Sequence, residues 1–450
     1  MANDARRSVK RLVTVAGLAA LAFVLLRFQT NASDSATATV LLGFLLLAAY
    51  MSGAATRGFG LPGVTGYVLV GILVGPFALG ILSPPMVELL RRIDEIALAL
   101  IALTAGGELR LADLRRSARP ILGIGLGVMA TVLVGMTALV LAARPFVPLL
   151  AGLPWPTVFA LGLLLAVWCA NSSPDATIAV INETGATGDF TETVLGITIL
   201  KDVLVIIAFS AALSLIGPLV KPGATFDPGL LLHTAWEVGG ALLAGGAAGA
   251  VFAVGLNRLG ARPVLATLAF TYILVLLAET LHVELLLTAV GAGFVIENFS
   301  EEGDSLIHAI EANALVVFAI FFALAGAALN LRTLAEYWPL ALGVVLARTL
   351  LTWAGSRLGA RVGRSGPEVA RWSWMGLISQ AGVTLGLSVL VADALPGPGQ
   401  VFAAVTTAVI IVHLLAGPIL LKIALERTGE AGSSDVTGEA DDVLQASGPG

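Results

Sequence analysis

The chain has 450 residues, of which 57% are hydrophobic and 12% charged, with a formal net charge of −5. An ordinary soluble domain carries roughly 25% charged residues, so this chain has too little polar surface to face water. Its apolar stretches match the roughly 20 helical residues that cross a bilayer core, which excludes a soluble domain and predicts an all-α integral membrane protein in the lipid bilayer.

In chain order, the apolar text predicts fourteen spans: 12–28, 38–55, 62–82, 93–110, 120–143, 156–182, 190–216, 231–257, 263–279, 283–297, 312–331, 338–363, 371–391 and 400–424. The first follows a basic leader and precedes a polar segment, so residues 1–37 read either as a retained helix or as a cleaved signal peptide, leaving thirteen or fourteen spans. Residues 38–428 form the membrane domain. From 429 to 450, Gly, Ser, Asp and Glu dominate and cannot build a core, which predicts a disordered acidic tail with no regulatory domain after it. Cytoplasmic loops carry the excess of Lys and Arg. An inside N-terminus puts seventeen basic residues on the cytoplasmic side and six outside, so the expectation is a multi-pass protein of the cell membrane with its C-terminus in the cytoplasm.

An internal repeat underlies the spans. Ala105-Gly106-Gly107-Glu108-Leu109-Arg110-Leu111 in the fourth span matches Ala325-Gly326-Ala327-Ala328-Leu329-Asn330-Leu331 in the eleventh. The same offset of 220 residues aligns Val70-Gly71 with Val290-Gly291. Seven spans separate each pair, an odd number, so the halves enter the membrane from opposite sides. Inverted repeats of this kind place the binding site of a secondary transporter near the midplane, at interrupted helices. Two interruptions are predicted. In the sixth span, Ser172 and Ser173 precede Pro174, which lacks an amide hydrogen and clashes with the carbonyl four residues back. In the thirteenth, Ser379, Gln380 and Gly382 form a polar, flexible middle.

Charges at mid-membrane then mark the chemistry. Lys201 and Asp202 sit at the centre of the seventh span, where each costs about 2.5–3.5 kcal/mol on insertion scales. Adjacent helical residues point about 100° apart, so the two do not face one neighbour. Asp202 shares a face with Thr198, one turn earlier. We read Asp202 as the carboxylate that takes a cation or a proton in competition, with Thr198 and the open backbone around Ser173 as further oxygen ligands. Asp175 is a second buried carboxylate, and a pairing with Lys201 across the break is expected. Arg348, mid-span and always charged, cannot carry protons and reads as a fixed counter-charge. His233, His282, His308 and His413 are scattered without metal-ligand spacing, so no metal is expected beyond a transported monovalent cation. No nucleophile constellation or phosphate loop is present, and neither an enzyme, a cofactor nor a nucleic-acid partner is expected.

Over about residues 38 to 424 the chain resembles the monovalent cation:proton antiporters, in particular the Kef-type and sodium/hydrogen exchanger branch. Gly66-Tyr67-Val68-Leu69-Val70-Gly71-Ile72-Leu73-Val74-Gly75-Pro76 is similar to the opening signature of that family, and Ala105-Gly106-Gly107-Glu108-Leu109 to its G-x-E-L segment. Ser172-Ser173-Pro174 resembles the first unwound crossing helix, and Gly376 to Gly386 the second. Lys201-Asp202 occupies the slot where members carry Asn-Asp, Asp-Asp or Gln-Asp, and Arg348 lies where they carry an embedded Lys or Arg. The resemblance implies a core bundle moving like an elevator against a dimerisation bundle, a homodimer, and exchange of Na⁺ or K⁺ for H⁺. Lys201 departs from the family pattern and keeps open a different solute or an anion as substrate. The residues also leave open a passive channel or a membrane sensor.

Overall fold

The computed structural model describes Gly17 and residues 34–220, 228–259, 263–300, 303–395 and 397–432. The predicted span 12–28 lies outside the described residues apart from Gly17. Sixteen helices and no strand occur among the described residues. They are α1 (Asp34–Gly58), α2 (Gly63–Val74), α3 (Pro84–Gly107), α4 (Leu111–Ala143), the single turn α5 (Pro148–Ala151), α6 (Trp155–Ala170), α7 (Pro174–Thr184) and α8 (Asp189–Val220). The second half comprises α9 (Pro228–Leu259), α10 (Pro263–Leu281), α11 (Leu285–Phe299), α12 (Gly303–Ala327), α13 (Leu331–Val362), α14 (Pro367–Gly376), α15 (Gly382–Ala394) and α16 (Pro398–Thr428). Prolines open many of them, where the missing amide hydrogen has no intrahelical partner anyway. Gly185 and Gly429 close α7 and α16 with φ of 56° and 74°, a conformation that costs glycine little.

Among the described residues, seven segments are long and apolar enough to span a membrane, one of them the α6–α7 pair, and five shorter apolar helices lie among them. One predicted span, 62–82, is shorter than expected. α2 stops at Val74 because Gly75 turns to an extended conformation and Pro76 cannot continue the ladder, leaving a 12-residue helix about 18 Å long. Residues 429–432, at the start of the stretch expected to be disordered, are described. Glu430 accepts from Phe190 N, Thr191 N and Thr191 Oγ1, each at 2.8 Å, and so caps the start of α8. The tail beyond Gly432 lies outside the described residues.

The helices form two bundles. In one, α4 packs along α13 and α6, α8 along α4 and α6, and α16 along α13 and α15. In the other, α2 packs on α1 and α12, α3 on α11 and α12, and α9 on α11. Between them, α7 of the first bundle touches α2, α3 and α12 of the second, α8 touches α9, and α16 touches α2.

The 220-residue register is visible in the packing. A Cβ on Gly106 of α3 would collide with the Val290 carbonyl of α11, and one on Gly326, its equivalent, with the Val68 carbonyl of α2. Gly71 abuts the Ala323 carbonyl as Gly293 abuts that of Leu103, and positions 103 and 323 are again equivalent. Each half thus lends a glycine to the same backbone approach. Lipid gives helices no hydrophobic reason to associate, so small residues that bring backbones together carry the association. The equivalent helices α4 and α13 meet in the same way, Gly123 and Gly127 lying against Gly355, Gly359 and Gly363.

Gly106→Val is expected to lower the stability of the purified protein by about 1–3 kcal/mol through overpacking. Gly343, where a Cβ would meet nothing within 4 Å, is the control, and Gly343→Val should stay within about 0.5 kcal/mol. Thermal unfolding in detergent measures both. Equal melting temperatures would contradict the packing.

Candidate functional site

Two interrupted helices cross within the first bundle. α6 ends at Ala170 and α7 starts at Pro174, while α14 ends at Gly376 and α15 starts at Gly382. Between them the chain is extended at Asn171 and Ser173. Helix ends leave backbone groups unpaired, and in lipid these must be satisfied by protein or by a wet cavity.

The two breaks satisfy one another. Ser173 N donates to Ser379 O at 2.9 Å. Ser172 Oγ donates to Leu377 O at 2.8 Å. Trp168 Nε1 donates to Thr384 O at 2.8 Å, and Gln380 Nε2 returns a bond to Trp168 O at 3.1 Å. His413 Nδ1 lies 2.8 Å from Gln380 Oε1, which fixes that amide. The second break has no proline, but α16 leaves room for it at Gly417, where a Cβ would come within 2.7 Å of Ser379 N.

Arg348 of α13 occupies the centre, fully buried. Its Nε donates to Cys169 O at 2.8 Å, Nη1 to Ile378 O at 2.8 Å, and Nη2 to Asn171 O at 2.6 Å and Leu377 O at 3.2 Å. Those carbonyls follow the C-terminal ends of α6 and α14, where two helix dipoles concentrate partial negative charge. Arg348, expected as a fixed counter-charge to the carboxylates, faces helix ends. Among the described residues Arg348 forms no ion pair with a carboxylate.

Lys201 and Asp202 lie on α8 beside the first break, both with no exposed surface. Lys201 Nζ is 2.7 Å from Ser172 Oγ. Ser172 directs its hydroxyl hydrogen to Leu377 O, so the lysine is the donor in this contact. The expected Lys201–Asp175 pair is not formed, because Asp175 sits in the first turn of α7, facing the cleft between the bundles with Leu98, Ile101, Ala105, Leu286 and Val290. Ser173 caps that turn through Ala176 N at 3.3 Å.

Asp202 differs from Lys201 in its bonding. Neither carboxyl oxygen has a hydrogen-bond partner. Asp175 and, across the bundle boundary, Glu284 act on it electrostatically, and the Asn171 side chain lies beside it. Thr198 Oγ1 donates to Leu195 O at 2.8 Å, which leaves its lone pairs free on the face shared with Asp202. Ser379 Oγ is also buried without a partner. A carboxyl group so placed is completed chemically by a proton or by a cation. Among the described residues no cluster of His, Cys, Asp or Glu suits a resident metal.

Two members of this site escape a reading of the sequence. His413 meets the expected break residue Gln380 from 33 positions away, and Glu284 sits at the start of α11, its carboxylate accepting from Leu287 N at 2.5 Å. The one signal for Glu284 is an acidic residue at the very start of the predicted span 283–297.

Comparison with known proteins finds relatives of the chain and of its fold. A probable Na⁺/H⁺ antiporter, GerT of Bacillus cereus, is 30% identical over 175 residues, 38% of this chain and 43% of that protein. The Na⁺/H⁺-K⁺ antiporter GerN of the same organism is 29% identical over 180 residues, 39% of this chain and 42% of its own. The matched stretch thus spans less than half of either relative. Two structures of the sodium proton antiporter MjNhaP1 from Methanocaldococcus jannaschii share the fold, with TM-scores of 0.65 and 0.68, identities of 19% and 18%, and coverage of 88% of this chain. The shared fold takes in 97% and 99% of those chains. The family model described as sodium/hydrogen exchanger, transmembrane, matches residues 42–427. With that match over most of its length, the chain belongs to the sodium/hydrogen exchanger family.

Proposed function

We propose that the protein is a secondary active antiporter that exchanges Na⁺ or K⁺ for H⁺ at Asp202 by alternating access. The observation that carries this reading is the pair of unpartnered oxygens on a fully buried carboxyl group, beside a break in the helices. An ionised carboxylate without partners is prohibitively costly in a dry interior, so it exists there either protonated or bound to a cation. One carboxyl group that accepts one occupant at a time couples the two flows.

Thr198, Ser173 and the carbonyls of the first break are the further oxygen ligands, with Asp175 marking the route between the bundles. The bundle that holds both breaks moves against the bundle that holds α2, α3, α11 and α12. The sparse contact between them, carried largely by α7 and α8, supports that division. Arg57 and Arg110 lie on the cytoplasmic face, following the distribution of basic residues. A homodimer follows from the family resemblance. The names of GerT and GerN support a monovalent cation as the substrate class.

Lys201 supports a second reading. An ammonium group with a hydroxyl partner and no ion pair could hold an anion or a polar organic solute instead. Both readings are separated in vesicles loaded with a pH-sensitive dye and given a proton gradient, to which Na⁺, K⁺ or Li⁺ is added in turn. Dequenching by one of these ions, abolished in Asp202→Asn with the protein still folded, is the expected result. No response to any monovalent cation would refute cation exchange and leave the anion reading. Lys201→Asn is expected to change the ion dependence while retaining proton movement. Arg348→Lys replaces a planar fork by a point charge and leaves some of four carbonyls unbonded. It should lower stability by about 3 kcal/mol or more, read as a fall in melting temperature.

A further inference from the structure

At the face that carries Arg57, where Leu111 N of α4 donates to Asn298 Oδ1 of α11 at 2.7 Å, a carboxylate of α7 also ties the first bundle to the second. Glu183 stands near the end of α7, eight residues or about 12 Å beyond Asp175. Its two oxygens lie 2.8 and 2.7 Å from Gly63 N, the first residue of α2 in the opposite bundle. Arg57 Nη1, from the end of α1, is 3.9 Å from Glu183 and donates to Tyr67 Oη at 3.2 Å. The side chain of Glu183 is only 14% exposed. Gly63 admits it because a Cβ there would approach Glu183 Oε2 to 2.9 Å and Arg57 Nη1 to 2.6 Å.

The inverted repeat supplies the comparison that gives this contact meaning. α2 and α11 are equivalent short helices whose N-termini face opposite sides. At α11 the cap is internal, since Glu284 accepts from Leu287 N within the same segment. At α2 the N-cap position is Pro62, whose side chain offers no acceptor, and the capping oxygens come from α7 of the other bundle. The same α7 begins at the break that adjoins Asp202. Any displacement of the first bundle that opens the break toward the Arg57 face must pull Glu183 from Gly63. Lys422 of α16 lies near enough to act on Glu183 electrostatically and belongs to the same bundle, so the released carboxylate keeps a positive neighbour.

We propose that Glu183 is the closing contact of the Arg57 face, made when the site is sealed from that side and broken when it opens. This rests on the two-bundle movement of the antiporter reading. Its test does not need transport. With Cys169, the lone cysteine, replaced by alanine, Ile178→Cys provides a reporter in the cleft between α7, α3 and α11. Its reaction with a membrane-impermeant thiosulfonate is timed from each side of oriented vesicles. Glu183→Ala should speed labelling from the Arg57 face by about tenfold, the worth of a hydrogen bond to a charged group. Labelling from the other face should not rise, and Glu183→Gln, which keeps one acceptor, should fall between. An unchanged rate in Glu183→Ala, or an equal rise from both faces, would overturn the proposal, the second outcome meaning general loosening. Vesicles of the parent protein that show no cation-driven proton movement would count against the antiporter reading alone.

Discussion

Arg348 places three guanidinium nitrogens against four backbone carbonyls drawn from two interrupted helices, with its side chain wholly enclosed. A helix broken inside lipid exposes carbonyls that nothing in a hydrocarbon can bond. A planar, permanently charged donor fork fits two such ends at once, and it also opposes the negative ends of both dipoles. The crossing of α6–α7 with α14–α15 therefore needs this side chain. The positive charge is taken up by the backbone, which is why it neutralises neither carboxylate.

Asp202 inherits its properties from that allocation. Lys201, one residue before it, is turned by the helical twist toward Ser172 and away from the carboxyl group. Polar groups around the breaks bond to each other: Ser173 to Ser379, Trp168 to Thr384, Gln380 to His413. Two oxygens of Asp202 remain outside this exchange. A rigid, largely satisfied surround with one unsatisfied carboxyl group is the arrangement in which a proton or a small cation contributes most, because nothing else competes for it.

The second bundle is held by shape more than by polarity. Gly71, Gly106, Gly293 and Gly326 let carbonyls of opposing helices reach the helical backbone, and Gly106 and Gly326 do so from equivalent positions of the two halves. The repeat is nonetheless unequal where it meets the boundary between the bundles. α2 borrows Glu183 for its cap, whereas α11 uses its own Glu284. Inverted halves of identical chemistry would give both faces the same closure, and this difference gives them different ones.

Composition, the 220-residue register, Pro174 and the Lys201-Asp202 pair were all legible in the sequence, because each is a local fact. Apolar length sets spans, a missing amide hydrogen opens a helix, and two charges at mid-span stand out wherever the chain folds. The end of α2 at Gly75-Pro76 was not read from the text, because the apolar run continues to residue 82. What each buried charge touches was decided only by tertiary structure. Arg348 meets carbonyls about 180 and 30 positions away, Lys201 meets Ser172 rather than Asp175, and Glu183 reaches Gly63 across 120 residues. The reason is geometric: hydrogen bonds depend on ångström approach between helices, and the crossing that brings these groups together arises from the packing of the whole bundle.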